Sequence, residues 1–167
     1  MPIVDFNSLP DASRVWVFAS DRPLSGDGAD ALLAAVDDFL STWAAHGVPL
    51  RCARDWRDGR FLAVGVDVTG ENASGCSIDG LFRRFQQLER TLGAKLVGGG
   101  RVFYRTRAGI EMAPQSEFAN LIKLGGVARE TPVFDTSITA ASDWRTSFER
   151  PAGQAWTAPF FADRSLA

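Results

Sequence analysis

Residues 49–68 read PLRCARDWRDGRFLAVGVDV. Two apolar runs, Pro49 to Trp56 and Phe61 to Val68, flank Arg57-Asp58-Gly59-Arg60. Asp-Gly readily adopts the positive φ angles of a tight hairpin turn, so the two runs are predicted to pair antiparallel. An antiparallel hairpin in the middle of a chain that also carries helical patterns makes the protein α+β.

Upstream, Val15 to Ser20 (VWVFAS) is apolar on both alternating sets, as a strand covered on both faces requires. From Asp27 the period becomes helical: Leu32, Val36, Phe39, Leu40 and Trp43 fall on one stripe, opposite Asp30, Asp37, Asp38 and Ser41. Gly47 is the predicted end of this helix, because glycine tolerates the left-handed conformation of a C-cap, and His46 then sits in the last turn. Downstream, a small polar stretch from Thr69 to Gly75 leads into a second amphipathic helix built on Ile78, Leu81, Phe82, Phe85, Leu88 and Leu92, with Ser77 as its predicted N-cap and Gly93 as its end. After Gly98-Gly99-Gly100, Arg101 to Arg107 reads as a fourth strand.

The resulting order, βαββαβ, is that of a ferredoxin-like sandwich, in which two helices cover one face of a four-stranded antiparallel sheet. Further on come a short helix over Ser116 to Leu124, closed by Gly125-Gly126, an extended Thr131 to Asp135, and a stretch holding Trp144, Phe148 and Trp156. The 167 residues show no repeat and no composition break, so the expectation is one domain: a core of about residues 13–107 and an aromatic C-terminal extension of about 108–167. Something must cover the sheet face that the helices leave open, either the extension or a second copy of the chain.

With 46% hydrophobic residues the chain can bury a core without disulfides or metals, and a net charge of -2 argues against a broad nucleic-acid surface. No apolar run approaches the roughly 18 to 20 residues of a membrane span. The opening Met1-Pro2-Ile3-Val4-Asp5 lacks the pattern of a secretory signal, and with only two cysteines the expected compartment is the cytoplasm. One histidine and two separated cysteines make no zinc site, so neither a metal nor a cofactor is assigned.

The stretch Gly70-Glu71-Asn72-Ala73-Ser74-Gly75-Cys76-Ser77 nearly fits a phosphate-binding loop, but cysteine stands where the pattern needs lysine. Without that cation the β- and γ-phosphates lack their partner, and an antiparallel sheet is the wrong setting. A phosphatase loop fails as well, because six residues rather than five separate Cys76 from Arg83. A helix N-terminus still attracts carboxylate or phosphate through free N–H groups, which makes Gly75, Ser77 and Ser74 candidate ligand-binding residues.

The predicted topology places the end of the first helix, the end of the third strand and the start of the second helix at one edge. His46, Asp67, Cys76 and Asp79 then meet there, and a thiol with a base and an orienting carboxylate is the arrangement of an activated nucleophile. The plainer reading makes Cys76 a packing residue, His46 a cap for the last helical carbonyls, and Asp79 a partner of the helix dipole. Cys52, inside a strand, reads as a buried hydrophobe.

Trp43-Ala44-Ala45-His46-Gly47, Ala73-Ser74-Gly75-Cys76-Ser77-Ile78-Asp79, and Glu117-Phe118 with Leu121-Ile122 resemble a family of small bacterial proteins, frequent in Bacteroidetes, that often carry the label "ABC transporter ATPase". The resemblance covers roughly Val15 to Asp135. It implies that Trp43, His46, Gly47, Gly75, Cys76, Ser77, Ile78 and Asp79 belong to a shared pattern, without supplying roles, and on that ground Trp43 joins the candidate ligand-binding residues. The missing lysine and the lack of a transporter signature segment speak against ATP hydrolysis. The expectation is a binding module for a small anionic ligand or a protein partner at the His46–Cys76 edge. The alternatives are a thiol enzyme for acyl or sulfur transfer, with Cys76 as nucleophile, His46 as base and Asp67 or Asp79 orienting, or a structural module that forms a homo-oligomer.

Overall fold

A computed structural model describes residues 3–96 and 98–162 and confirms a mixed α+β chain with antiparallel sheets. The described residues divide into two compact units, one formed by residues 3–96 together with Ser137–Arg145, the other by Gly98–Thr136 and residues 146–162.

In the first unit, β1 (Arg14–Ala19), α1 (Gly26–Ser41), β2 (Ala44–Ala45), β3 (Val48–Pro49), β4 (Cys52–Arg57), β5 (Phe61–Val66) and α2 (Gly75–Leu92) follow in order. The hairpin forms as predicted: β4 and β5 pair antiparallel from Cys52 opposite Val66 to Arg57 opposite Phe61, around Asp58 and Gly59 at φ 55° and 63°. β5 lies between β4 and β1. Alternation then sorts the side chains. Trp16, Phe18, Cys52, Trp56, Leu62, Val64 and Val66 join Leu32, Val36, Leu40, Leu81, Phe85 and Leu88 of the two helices in one core. Phe18 stacks on Phe85 with ring centroids 3.7 Å apart, and Arg54 grips Asp37 of α1 through two 2.7 Å hydrogen bonds.

The opposite face of this sheet is covered from within the unit. A Cβ on Gly65 would come within 2.7 Å of Leu9 and 3.2 Å of Phe6, so the N-terminal segment lies directly on β5. Beside Phe6 stands the fully buried Trp144 of α4 (Ala141–Thr146). Its indole N–H donates to Asp55 at 2.8 Å, while the Arg57 guanidinium lies 4.2 Å above the ring and donates to the Trp144 carbonyl. The N-terminal segment and the returning segment 137–145 therefore both cover this face.

Three predictions are corrected. The strand meant to complete this sheet, β6 (Arg101–Thr106), belongs to the other unit, where it lies between β7 (Gly109–Pro114) and β8 (Pro132–Phe134), with β9 (Glu149–Pro151) beyond. The four-stranded ferredoxin-like sheet is thus not what β1, β4, β5 and β6 form. Both edges of β6 are occupied within this unit, one by β7, three residues away, and the other by β8, and closing either loop costs less entropy than reaching β1, more than eighty residues upstream; the Thr106 hydroxyl donating to the Gly109 carbonyl locks the β6–β7 turn. Second, α1 ends at Ser41, not near Gly47. Third, the N-cap of α2 is Ser74, not Ser77. Gly93, at φ 62°, caps the far end of α2 as predicted.

The second unit contains the short helix foreseen at Ser116 to Leu124, here α3 (Gln115–Lys123). It is closed by Gly125 at φ 80° and by the Gly126 N–H donating to the Leu121 carbonyl. Val102, Ala113, Phe118, Ile122, Val127 and Val133 form its core.

Candidate functional site

Past Ser41 the chain turns inward to bury Trp43, then reverses in a two-residue hairpin, β2 and β3, with Ala44 opposite Pro49 and Ala45 opposite Val48. His46 and Gly47 form its tip at φ 52° and 80°. Positive φ at both central residues is what a type I′ turn demands, so the left-handed glycine foreseen at position 47 serves a hairpin instead of a helix cap. His46 is exposed, and no hydrogen bond engages its ring among the described residues. It therefore does not cap helix carbonyls. Holding a non-glycine residue in this conformation costs about 1 to 2 kcal/mol.

The other wall is the first turn of α2. Ser74 adopts extended backbone angles and accepts the Ser77 N–H on its hydroxyl at 3.3 Å; the Ser77 hydroxyl donates back to the Ser74 carbonyl at 2.8 Å. This cap satisfies the third helical residue and leaves the N–H groups of Gly75 and Cys76 without a partner among the described residues.

Ala44, His46, Ser74, Gly75, Cys76 and Ser77 together line a shallow depression of about 680 Å³. Of the candidate residues, this site gathers His46, Ser74, Gly75, Cys76 and Ser77. Cys76 is exposed and unbridged, and no hydrogen bond joins it to His46 among the described residues.

Asp67, Asp79 and Trp43 stand apart. Asp67 is buried and engaged on both oxygens: Oδ1 accepts from the Thr69 hydroxyl at 2.6 Å and the Thr69 N–H at 2.9 Å, and Oδ2 pairs with Arg51 at 2.7 Å. The Thr69 hydroxyl, then its N–H, then Arg51 hold its carboxyl below the ordinary carboxylate range. Asp79 is exposed one turn further along α2, where it lines a separate hollow with Phe82, Arg83 and Gln86. Trp43 is 4% exposed, and its indole N–H donates to the Ser77 carbonyl at 2.9 Å, so it lies behind the depression and not in its lining.

Cys52 is fully buried as predicted. Its thiol donates to the Leu40 carbonyl at 3.6 Å, and burial pushes its pKa up to about 12. Among the described residues, no group of three or more His, Cys, Asp or Glu side chains gathers to hold a metal ion, and no helix is long and apolar enough to cross a membrane. Sequence reasoning missed Ala44 as a lining residue and Thr69 as the partner of Asp67. The dipeptide His46-Gly47 was the available signal for the first, since it suits a type I′ turn as well as a helix end.

Comparison with protein-family models, with curated proteins and with solved structures found no match. The resemblance to the small bacterial family rests on the sequence segments alone.

Proposed function

We propose that this chain is a binding module that takes a small anion, a carboxylate or a phosphate group, in the depression between the His46 hairpin and the start of α2. The observation that carries this reading is the lining itself: the backbone N–H groups of Gly75 and Cys76, without a partner among the described residues, and one imidazole, with no carboxylate among them; the two serine hydroxyls are already spent, Ser74 donating to Ser77 and Ser77 to the Ser74 carbonyl. The N-terminal end of a helix dipole and unpaired N–H groups both favour negative charge. His46 stays at the tip despite its unfavourable φ, and strained residues persist most often where function needs them. Titration with inorganic phosphate, followed by amide shifts, tests the reading. The amides of Gly75 and Cys76 should shift and saturate together; linear shifts spread over the surface arginines would overturn it.

The exposed Cys76 thiol in the same depression as His46 favours a second reading, a thiol enzyme with Cys76 as nucleophile and His46 as base. It is the weaker one, because both carboxylates able to orient the imidazole, Asp67 and Asp79, lie outside the lining. A free exposed thiol suits a reducing cytoplasm. The transporter-ATPase label of the resembling family is not carried over, since Cys76 occupies the place of the phosphate-binding lysine.

A further inference from the structure

We infer that Trp43 is the positioning residue of this depression, the group that fixes the wall bearing His46 at a set distance from the wall bearing Gly75 and Cys76. The inference rests on the proposed binding reading for its functional meaning, but its geometry stands by itself. The Trp43 carbonyl accepts the Leu50 N–H at 3.0 Å, closing the base of the six-residue hairpin loop. The indole N–H of the same residue donates to the carbonyl of Ser77, in the first turn of α2. One residue thus binds both ends of the hairpin and the helix start.

The indole is wedged as well as bonded. Its ring meets Trp16 edge-on at 5.9 Å and Phe39 at 5.7 Å, which leaves it little freedom to swing. The bond is buried, so water cannot replace it without opening the core, and a carbonyl has a second lone pair for the indole beside its helical bond. The hairpin's own ladder is two residue pairs, too short to hold its angle unaided, and its other anchors are Ala45 and Leu50, buried in the same core. Trp43 therefore acts on a ligand through the spacing of the walls and without touching it.

The test uses the full chain with a nitroxide attached to Cys76; Cys52, buried, takes no label. Relaxation enhancement is read at the amides of Ala44 to Val48 and, as an internal reference on the same helix about 20 Å from the label, at Arg90. Trp43→Phe keeps an aromatic ring and removes the N–H donor. Trp16→Phe removes a comparable volume next to it and serves as the packing control. The expected result is weaker enhancement across the hairpin in Trp43→Phe, unchanged enhancement at Arg90, and no change in Trp16→Phe. Equal enhancement in wild type and Trp43→Phe would overturn the inference. If Trp43→Phe does not fold, the benzothiophene analogue of tryptophan at position 43, which keeps the ring shape and lacks the N–H, gives the same comparison.

A second arm measures phosphate binding on unlabelled protein. Loss of one hydrogen bond should weaken it about 2- to 10-fold in Trp43→Phe, and affinity equal to wild type would count against positioning. Wild-type protein that binds no phosphate would refute the binding reading alone, and the nitroxide arm would still decide the role of Trp43.

Discussion

Replacing His46 by Asn should separate what the imidazole does for binding from what it costs the fold. The side chain is exposed and makes no hydrogen bond among the described residues, so its removal gives up no packing. Its backbone lies at φ 52°, and Asn-Gly is the dipeptide that a type I′ turn prefers. Of the about 1 to 2 kcal/mol that a left-handed residue costs, Asn should recover roughly 0.5 kcal/mol. At about 2 to 4 °C per kcal/mol for a chain of this size, the melting temperature should rise by about 1 to 2 °C. Binding should move the other way. A hydrogen bond to a charged group contributes about 1.5 to 3 kcal/mol, and the shorter Asn side chain does not reach as far as the imidazole, so phosphate affinity should fall about tenfold or more. Scanning calorimetry and isothermal titration on the same samples read both quantities. A melting temperature several degrees lower would make the imidazole a structural group, and an unchanged affinity would remove His46 from the site.

Two further outcomes concern the frame around the depression. Asp67→Asn should cost about 1 to 2 kcal/mol at neutral pH, since the Arg51 pair and part of the Thr69 contacts are lost. The folded-state pKa of Asp67 is lowered, so its contribution is present above the ordinary carboxylate value of about 3.9 and disappears as pH falls through the folded value. The stability gap between wild type and variant in denaturant titrations should therefore close below about pH 4; a gap independent of pH would contradict this. Gly65→Ala should destabilise by about 1 to 3 kcal/mol because its new methyl group meets Leu9 and Phe6. A neutral result in thermal unfolding would mean that the N-terminal segment is not seated on β5.

What could be read in the sequence was what local chemistry decides. Asp58-Gly59 fixes the β4–β5 turn, the 3.6-residue stripe from Leu81 to Leu88 fixes the buried face of α2, and Gly93 fixes its end. Non-local competition was not legible. β6 has the same β-branched and aromatic composition whether its free edge adds to β1 or to β8, and the choice of β8, the partner nearer in the chain, is not written in β6 itself. Trp43 sits on the helical stripe of α1, yet the helix ends before it and the ring is buried from a turn; its carbonyl and indole partners lie seven and thirty-four residues away. Of the candidate site, the sequence foresaw that His46 and Cys76 come together, and they do line one depression, though His46 comes from a hairpin tip and not from a helix end. Its carboxylates were misplaced because nothing in the spacing of Asp67 reveals Thr69 and Arg51 as its partners.

The most direct test of the anion site is the rate at which Cys76 is alkylated as inorganic phosphate is raised at constant ionic strength. Cys52 stays silent, since its thiol is buried and its pKa stands at about 12, so intact-mass spectrometry counts a single adduct. Phosphate seated against the Gly75 and Cys76 amides should slow that reaction along a saturating curve, and His46→Asn should move the midpoint to higher concentration. A Cys76 modified at the same rate with and without phosphate would contradict the assignment of this depression as an anion site.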